Sequence, residues 1–157
     1  PGYLAMHFPD ISCENLARET FDLPGDFEGE LNLCLIAFQR WHQPLVNSWI
    51  PLAGQLEEAY PRFCYYEFPV IRRLNVLFRG FIDQGMRAGI PEATARHKTI
   101  TLYTDKAAFK RPLEIDDESE IHLRLVDRDG IVHWHAVGAL TKVDAESLTE
   151  TLERLLS

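Results

Sequence analysis

Cysteine has the widest chemistry of any side chain in this sequence, and there are three, Cys13, Cys34 and Cys64. A close C-x-x-C pair would exchange disulfides or hold zinc. Here the count is odd and the intervals are long, which points to neither a disulfide framework nor a zinc ribbon. Cys34 lies inside the apolar run Leu33 to Phe38 and reads as a small buried hydrophobe. Cys13 has polar neighbours and is expected near the surface, where reactivity would need a lowered pKa.

Histidine is the next candidate. His42 stands in Arg40-Trp41-His42-Gln43-Pro44, just where a helix is predicted to begin. Free backbone N–H groups at such an end, with Arg40 beside them, suit a small anion. The same dipole disfavours imidazolium, so a neutral His42 is expected to donate and accept hydrogen bonds to a ligand or partner. The plainer reading is a surface side chain with no acidic or nucleophilic partner in its motif. A second cluster sits in the C-terminal hairpin. If Asp127-Arg128-Asp129-Gly130 closes the turn, Val126 faces Ile131, Arg124 faces His133 and His122 faces His135. Alternation then puts His122, Arg124, His133 and His135 on one face. Three imidazoles suit zinc, nickel or copper, but Arg124 among them repels a cation, so a solvated polar face and no metal is the expectation. Arg79, Asp83 and Arg87, at helical spacing, read as surface ion pairing, with Arg72 and Arg73 adding the one local basic patch. Trp41, Trp49 and Trp134 read as core or groove aromatics, and an exposed Trp41 would be a natural binding anchor.

The elements that must position these residues follow from periodicity. Glu14 to Leu23 is turn-rich and then β-leaning, and Leu31 to Phe38 is a short apolar strand. Leu45, Trp49, Leu52, Ala53, Leu56 and Tyr60 fall at helical spacing between Pro44 and Tyr60, with Pro51 expected to kink that helix. Phe63 to Phe68 is a second strand and Arg73 to Met86 a second helix, stopped by Gly89-Ile90-Pro91. Thr99 to Thr104 is a third strand, followed by a short helix over Lys106 to Lys110. Ile121 to Val126 and Ile131 to Val137 form the hairpin. Thr141 and Asp144 then make a capping pattern ahead of a helix with Ala145, Leu148, Leu152, Leu155 and Leu156 on one stripe. The order implies an α/β fold with a mixed sheet and helices on both faces.

The chain has 157 residues, 46% of them hydrophobic and 25% charged, enough for one globular domain over 1–157 with 1–20 as an N-terminal extension or hairpin. Its 16 Lys+Arg against 24 Asp+Glu give a net charge of −8. That balance excludes a phosphate-seeking surface, so no nucleic-acid partner is expected. The longest apolar run has six residues against about 20 for a spanning helix, so no membrane insertion is expected. With no signal-peptide pattern visible, a cytoplasmic location is the expectation.

Taken in order, these motifs resemble the thioredoxin-like superfamily, in its redoxin and TlpA-like branch, from about Phe21 onward. The strand ending in Phe38 runs into Trp41-His42-Gln43-Pro44-Leu45, which looks like W-C-x-P-C with both cysteines replaced. Pro51 resembles the family's helix proline, and Leu125 to Val132 resembles its D-x-x-G hairpin. Met86 to Pro91, Thr99 to Asp105 and the Asp127 hairpin with Trp134 are similar to the mitochondrial ATP synthase assembly-factor family. The resemblance implies a three-layer α/β/α fold with a central mixed sheet, and a chaperone or assembly role without a cofactor. It also places a binding groove at Trp41, His42, Gln43, Pro44 and Ile121, where a protein or peptide would dock.

The chemistry agrees. Thioredoxin-type exchange needs a thiolate at the helix N-terminus and a resolving thiol about one turn on. Those positions hold His42 and Leu45, and the family's cis-proline position falls at Glu120-Ile121. Disulfide exchange at the usual site is therefore excluded. The alternative is a divergent thiol-dependent oxidoreductase or peroxidase working through Cys13 or Cys64.

Overall fold

The structure is a computed structural model that describes residues 6–72 and 97–157. The chain opens with β1 (Ile11–Glu14) and β2 (Thr20–Leu23), an antiparallel pair. Asn15 shapes the turn between them, its side-chain oxygen accepting from the amides of Ala17 and Glu19. Then come β3 (Leu31–Ala37), a 3-10 turn (Arg40–His42), α1 (Gln43–Ala59) and β4 (Phe63–Arg72). The last part holds β5 (Leu102–Thr104), α2 (Lys106–Lys110), β6 (His122–Val126), β7 (Val132–Val137) and α3 (Lys142–Leu156). The helix expected over Arg73 to Met86, its Gly89-Ile90-Pro91 stop and the Arg79, Asp83, Arg87 face lie outside the described residues.

Five strands form one sheet in the order β5-β4-β3-β6-β7. Strands β3, β4 and β5 run parallel, while β6 and β7 are antiparallel to their neighbours. Strand β3 is central because its apolar residues point both ways, which only a doubly covered strand tolerates. Leu31, Leu33 and Leu35 pack with Val46, Trp49 and Leu56 of α1 and Leu148 and Leu152 of α3. Cys34 and Ile36 pack on the opposite face with Phe8, Phe27, Phe68 and Phe109. The result is the mixed α/β fold that the element order implied.

Several elements run differently from the sequence reading. β4 continues past Phe68 through Pro69, which sits opposite Ala37, to Arg72. β5 is shorter, with Thr99 and Ile100 making isolated bridges ahead of it. The C-terminal hairpin is out of the expected register. Val126 pairs with Val132, Leu125 with Trp134 and Arg124 with His135, leaving His133 as the extra residue of a bulge. Ile131 is unavailable to Val126 because it bridges His7, and its amide donates to the Asp127 carboxylate at 3.0 Å. Gly130, at φ +90°, lets that five-residue loop turn back.

Helix ends follow their caps. Asp105 accepts from the amides of Ala107 and Ala108, and Thr141 accepts from the amide of Asp144 at 3.1 Å. Trp49, fully buried on α1, donates its indole N–H to the Gly138 carbonyl at 2.9 Å, which ties the helix to the end of β7. Before β3, the Asn32 side chain accepts from the Gly29 amide and donates to the carbonyls of Gly29 and Val126. A Cβ on Gly29 would lie 2.7 Å from the Leu31 carbonyl oxygen and 2.9 Å from the Cys64 amide nitrogen. Both are backbone atoms within the sheet, so Gly29→Ala is expected to cost about 1–3 kcal/mol. A urea titration checks this: the midpoint falls at unchanged slope, whereas an unmoved midpoint would mean that the turn relaxes freely.

Candidate functional site

The Arg40-Trp41-His42-Gln43-Pro44 segment sits at the C-terminal end of the central strand β3, where α1 begins. Trp41 is 58% exposed, and Arg40, Gln43 and Pro44 are exposed around it. His42 is fully buried, not the surface side chain of the plainer sequence reading. Its Nδ1 accepts from the amides of Phe38 at 3.0 Å and Gln39 at 3.2 Å. The imidazole thus takes the two amides that lead into the 3-10 turn ahead of α1, as the return half of a capping box on Gln39. The Trp41 ring covers it edge-on, with centroids 4.4 Å apart. Ile121, the remaining groove candidate, is fully buried and packs with Leu123 and Leu125 in the core shared with α1 and α3.

The histidine face is not the solvated surface expected of it. His122 is 4% and Arg124 2% exposed, because Leu113 and Ile115 close over that side of the sheet. Arg124 donates through Nε and Nη2 to the Leu113 carbonyl and through Nη1 to that of Leu123. Burial pushes its pKa down to about 10, leaving it charged at neutral pH. His122 has its Nε2 2.6 Å from the Asp117 carbonyl oxygen, and burial pushes its pKa below the ordinary histidine value. His133, displaced by the bulge, bonds instead to the Asp127 carboxylate at 2.8 Å. His135, opposite Arg124, remains exposed. The three imidazoles do not converge, and no group of three or more His, Cys, Asp or Glu is placed to hold a metal ion among the described residues.

All three cysteines are free thiols. Cys34 is fully buried opposite Arg124, and desolvation raises its pKa well above the usual range. Cys13 lines a cavity of about 430 Å³ between the β1–β2 hairpin and β5. Burial, then the Asp22 carboxylate, push its thiol up to about 12. Burial also raises Cys64, partly offset by Lys98. Burial thus holds each of the three toward the protonated thiol, away from the thiolate that is the nucleophilic form.

One ionisable residue near the motif escaped the sequence reading. Glu67 lies on β4 beside the first turn of α1, where the Gln43 side-chain amide reaches its carboxylate at 3.4 Å. Desolvation raises its pKa above the usual carboxylate value, and the Gln43 hydrogen bond partly offsets this. An acid within the apolar strand Phe63-Cys64-Tyr65-Tyr66-Glu67-Phe68 was the available signal.

The family model described as ATP10 protein matches residues 3–155. Among curated proteins, none matches the chain in sequence. Solved structures match over nearly the whole chain. The thioredoxin domain of a thiol-disulfide oxidoreductase from Bacteroides vulgatus is 19% identical with a TM-score of 0.63, covering 96% of each chain. BsSco, a member of the Sco family of cytochrome c oxidase assembly proteins, is 14% identical with a TM-score of 0.65, covering 96% of this chain and 94% of its own. The exposed lipoprotein thioredoxin Etrx1 of Streptococcus pneumoniae is 11% identical with a TM-score of 0.61, covering 94% of this chain and all of its own. At these identities the likeness establishes the fold, which is thioredoxin-like.

The raised pKa of Glu67 gives a pH signature. The folded state holds this proton more tightly than the unfolded chain does, so ionising Glu67 costs stability as pH rises through its folded pKa. Glu67→Gln removes that cost while keeping an acceptor for Gln43. Thermal unfolding at pH 7 is expected to rise by about 2–4 °C for each 1 kcal/mol relieved, with no gain at pH 4, below the unfolded carboxylate pKa. Equal gains at both pH values would sink the desolvation account.

Proposed function

Because the chain belongs to the ATP10 protein family, we propose that it acts in assembly as a protein-binding domain of chaperone type, one thioredoxin-like domain over 1–157 without thiol redox activity. The observation that carries this reading is the motif itself. Where exchange chemistry needs a thiolate, the helix mouth holds a buried imidazole bonded to its own backbone, and the next turn holds Leu45. What remains outward is recognition surface: an exposed Trp41 flanked by Arg40, Gln43 and Pro44. A large exposed aromatic with polar neighbours is the kind of anchor that dominates binding energy. BsSco gives a precedent for this fold in an assembly family.

The alternative, a thiol-dependent oxidoreductase or peroxidase working through Cys13 or Cys64, has less support. Both thiols are held above their ordinary pKa, and neither lies in the motif. No helix among the described residues is long and apolar enough to cross a membrane.

Two measurements test the reading. In dithiothreitol-coupled insulin reduction, the chain and a variant with Cys13, Cys34 and Cys64 all changed to Ser are expected to match the background rate; cysteine-dependent turnover would overturn the redox-inactive reading. In a fluorescence titration with a reduced, unfolded model polypeptide, the wild-type chain is expected to bind and Trp41→Ala to weaken binding by about tenfold or more. Unchanged affinity in a Trp41→Ala variant of normal stability would rule out this surface as the anchor.

A further inference from the structure

The exposed Trp41 has carboxylates on both sides of it, and the sheet order is the reason. Strand β3 lies between β4 and β6. The turn that leaves its C-terminal end, Arg40–His42, therefore has β4 on one flank and the start of the antiparallel β6 on the other. Glu67 stands on the first flank, in register with Leu35. On the second flank His122 pairs with Ile36, which brings the acidic loop ahead of it, residues 116–120, to the same end of the sheet.

The charges on these flanks are unbalanced. Glu57, Glu118 and Asp127 are half-buried acids with basic partners: Lys98 for the first, Lys106 and Lys110 for the second, His133 for the third. Glu67 is half-buried too, but no cation among the described residues pairs with it. Its carboxylate meets the Gln43 amide at 3.4 Å, and that amide makes its closer bond, 2.9 Å, to Asn47. Across the turn, Asp116 and Asp117 are exposed. The Asp117 carboxyl is held low first by its hydrogen bonds from Ser119, then by the nearby rings of His122 and His42. His42 is the ring that Trp41 covers, so this carboxylate stands beside the anchor. Arg40 is the one arginine or lysine of the motif itself.

Resting on the reading of Trp41 as a docking anchor, we propose that the partner segment is basic. It is an extended polypeptide whose lysine or arginine side chains lie over the Trp41 ring, with Glu67 to one side and Asp116 and Asp117 to the other. An indole face attracts a cation by its own quadrupole. Burial already holds the Glu67 carboxyl above its usual value, and a carboxylate in such a low-dielectric place gains more from an arriving cation than one in open water. The fold has thus desolvated this acid before any partner arrives. An acidic segment would be repelled from both flanks, and the chain's net charge of −8 steers basic segments toward it.

The test measures binding of dye-labelled unfolded peptides to the full chain at low and high salt. The peptides share one length and one apolar content, and carry lysine, glutamate or serine at the same positions. At low salt the lysine peptide is expected to bind about tenfold tighter than the glutamate peptide, with the gap shrinking at high salt. Glu67→Gln and Asp116→Asn are each expected to weaken the lysine peptide by about threefold, and Arg40→Gln, which removes the opposing charge, to strengthen it. The peptide comparison needs no variant, so it decides even where a substitution disturbs folding. Equal affinity for all three peptides, lost in Trp41→Ala, would overturn the basic partner and leave the docking anchor standing, as would preference for the glutamate peptide. No Trp41-dependent binding by any peptide would overturn both.

Discussion

Strand β3 has no polar face, and the rest of the architecture answers that constraint. Its leucines demand cover on one side and Cys34 and Ile36 demand it on the other, so neither surface of the sheet is left to solvent at its centre. Helices α1 and α3 supply the first cover. The second comes from an aromatic cluster drawn from the N-terminal segment, β4 and α2, with Phe8 meeting Phe27, Phe68 and Phe109 at ring separations of 5.3 to 5.8 Å. That double cover also buries β6, next to β3, and with it two side chains that would otherwise seek water, His122 and Arg124.

Burying a guanidinium is costly unless its donors are met. Arg124 meets them with backbone carbonyls, two of its bonds converging on Leu113. The charge is thereby turned into a tie between the sheet and the segment after α2. The position where β3 hands over to α1 follows a related logic. A helix mouth normally offers free N–H groups to an anion; here the buried imidazole of His42 takes the two amides just before the turn, and Trp41 lies across it. His42 here closes a cap and Trp41 stands exposed beside it, and no thiol lies in this segment of the chain.

What could be read along the chain depended on how local the cause was. The helical stripe of α1, the apolar run of β3, the Thr141 cap and the turn residues around Gly130 each act within a few positions, and each element was visible in advance. The hairpin register was not visible, because it turns on His7 capturing Ile131 from across more than a hundred residues. One such capture shifts the pairing, makes His133 a bulge residue and separates histidines that simple alternation had brought together. Glu67 escaped notice because a lone acid in an apolar strand has no spacing signature, and only its place beside Gln43 gives it a role.

The sequence by itself determined the absence of a thiol pair at the helix mouth, the order of the described elements from β3 onward and the α/β class, since composition and short-range periodicity are properties of the chain alone. Tertiary structure decided which polar groups are buried and which way they point. His42 reads as a surface side chain until β3 and α1 close around it, and His122 as half of a solvated face until Leu113 and Ile115 cover it. Burial and hydrogen-bond direction depend on partners distant in sequence, and those partners meet only in the folded chain.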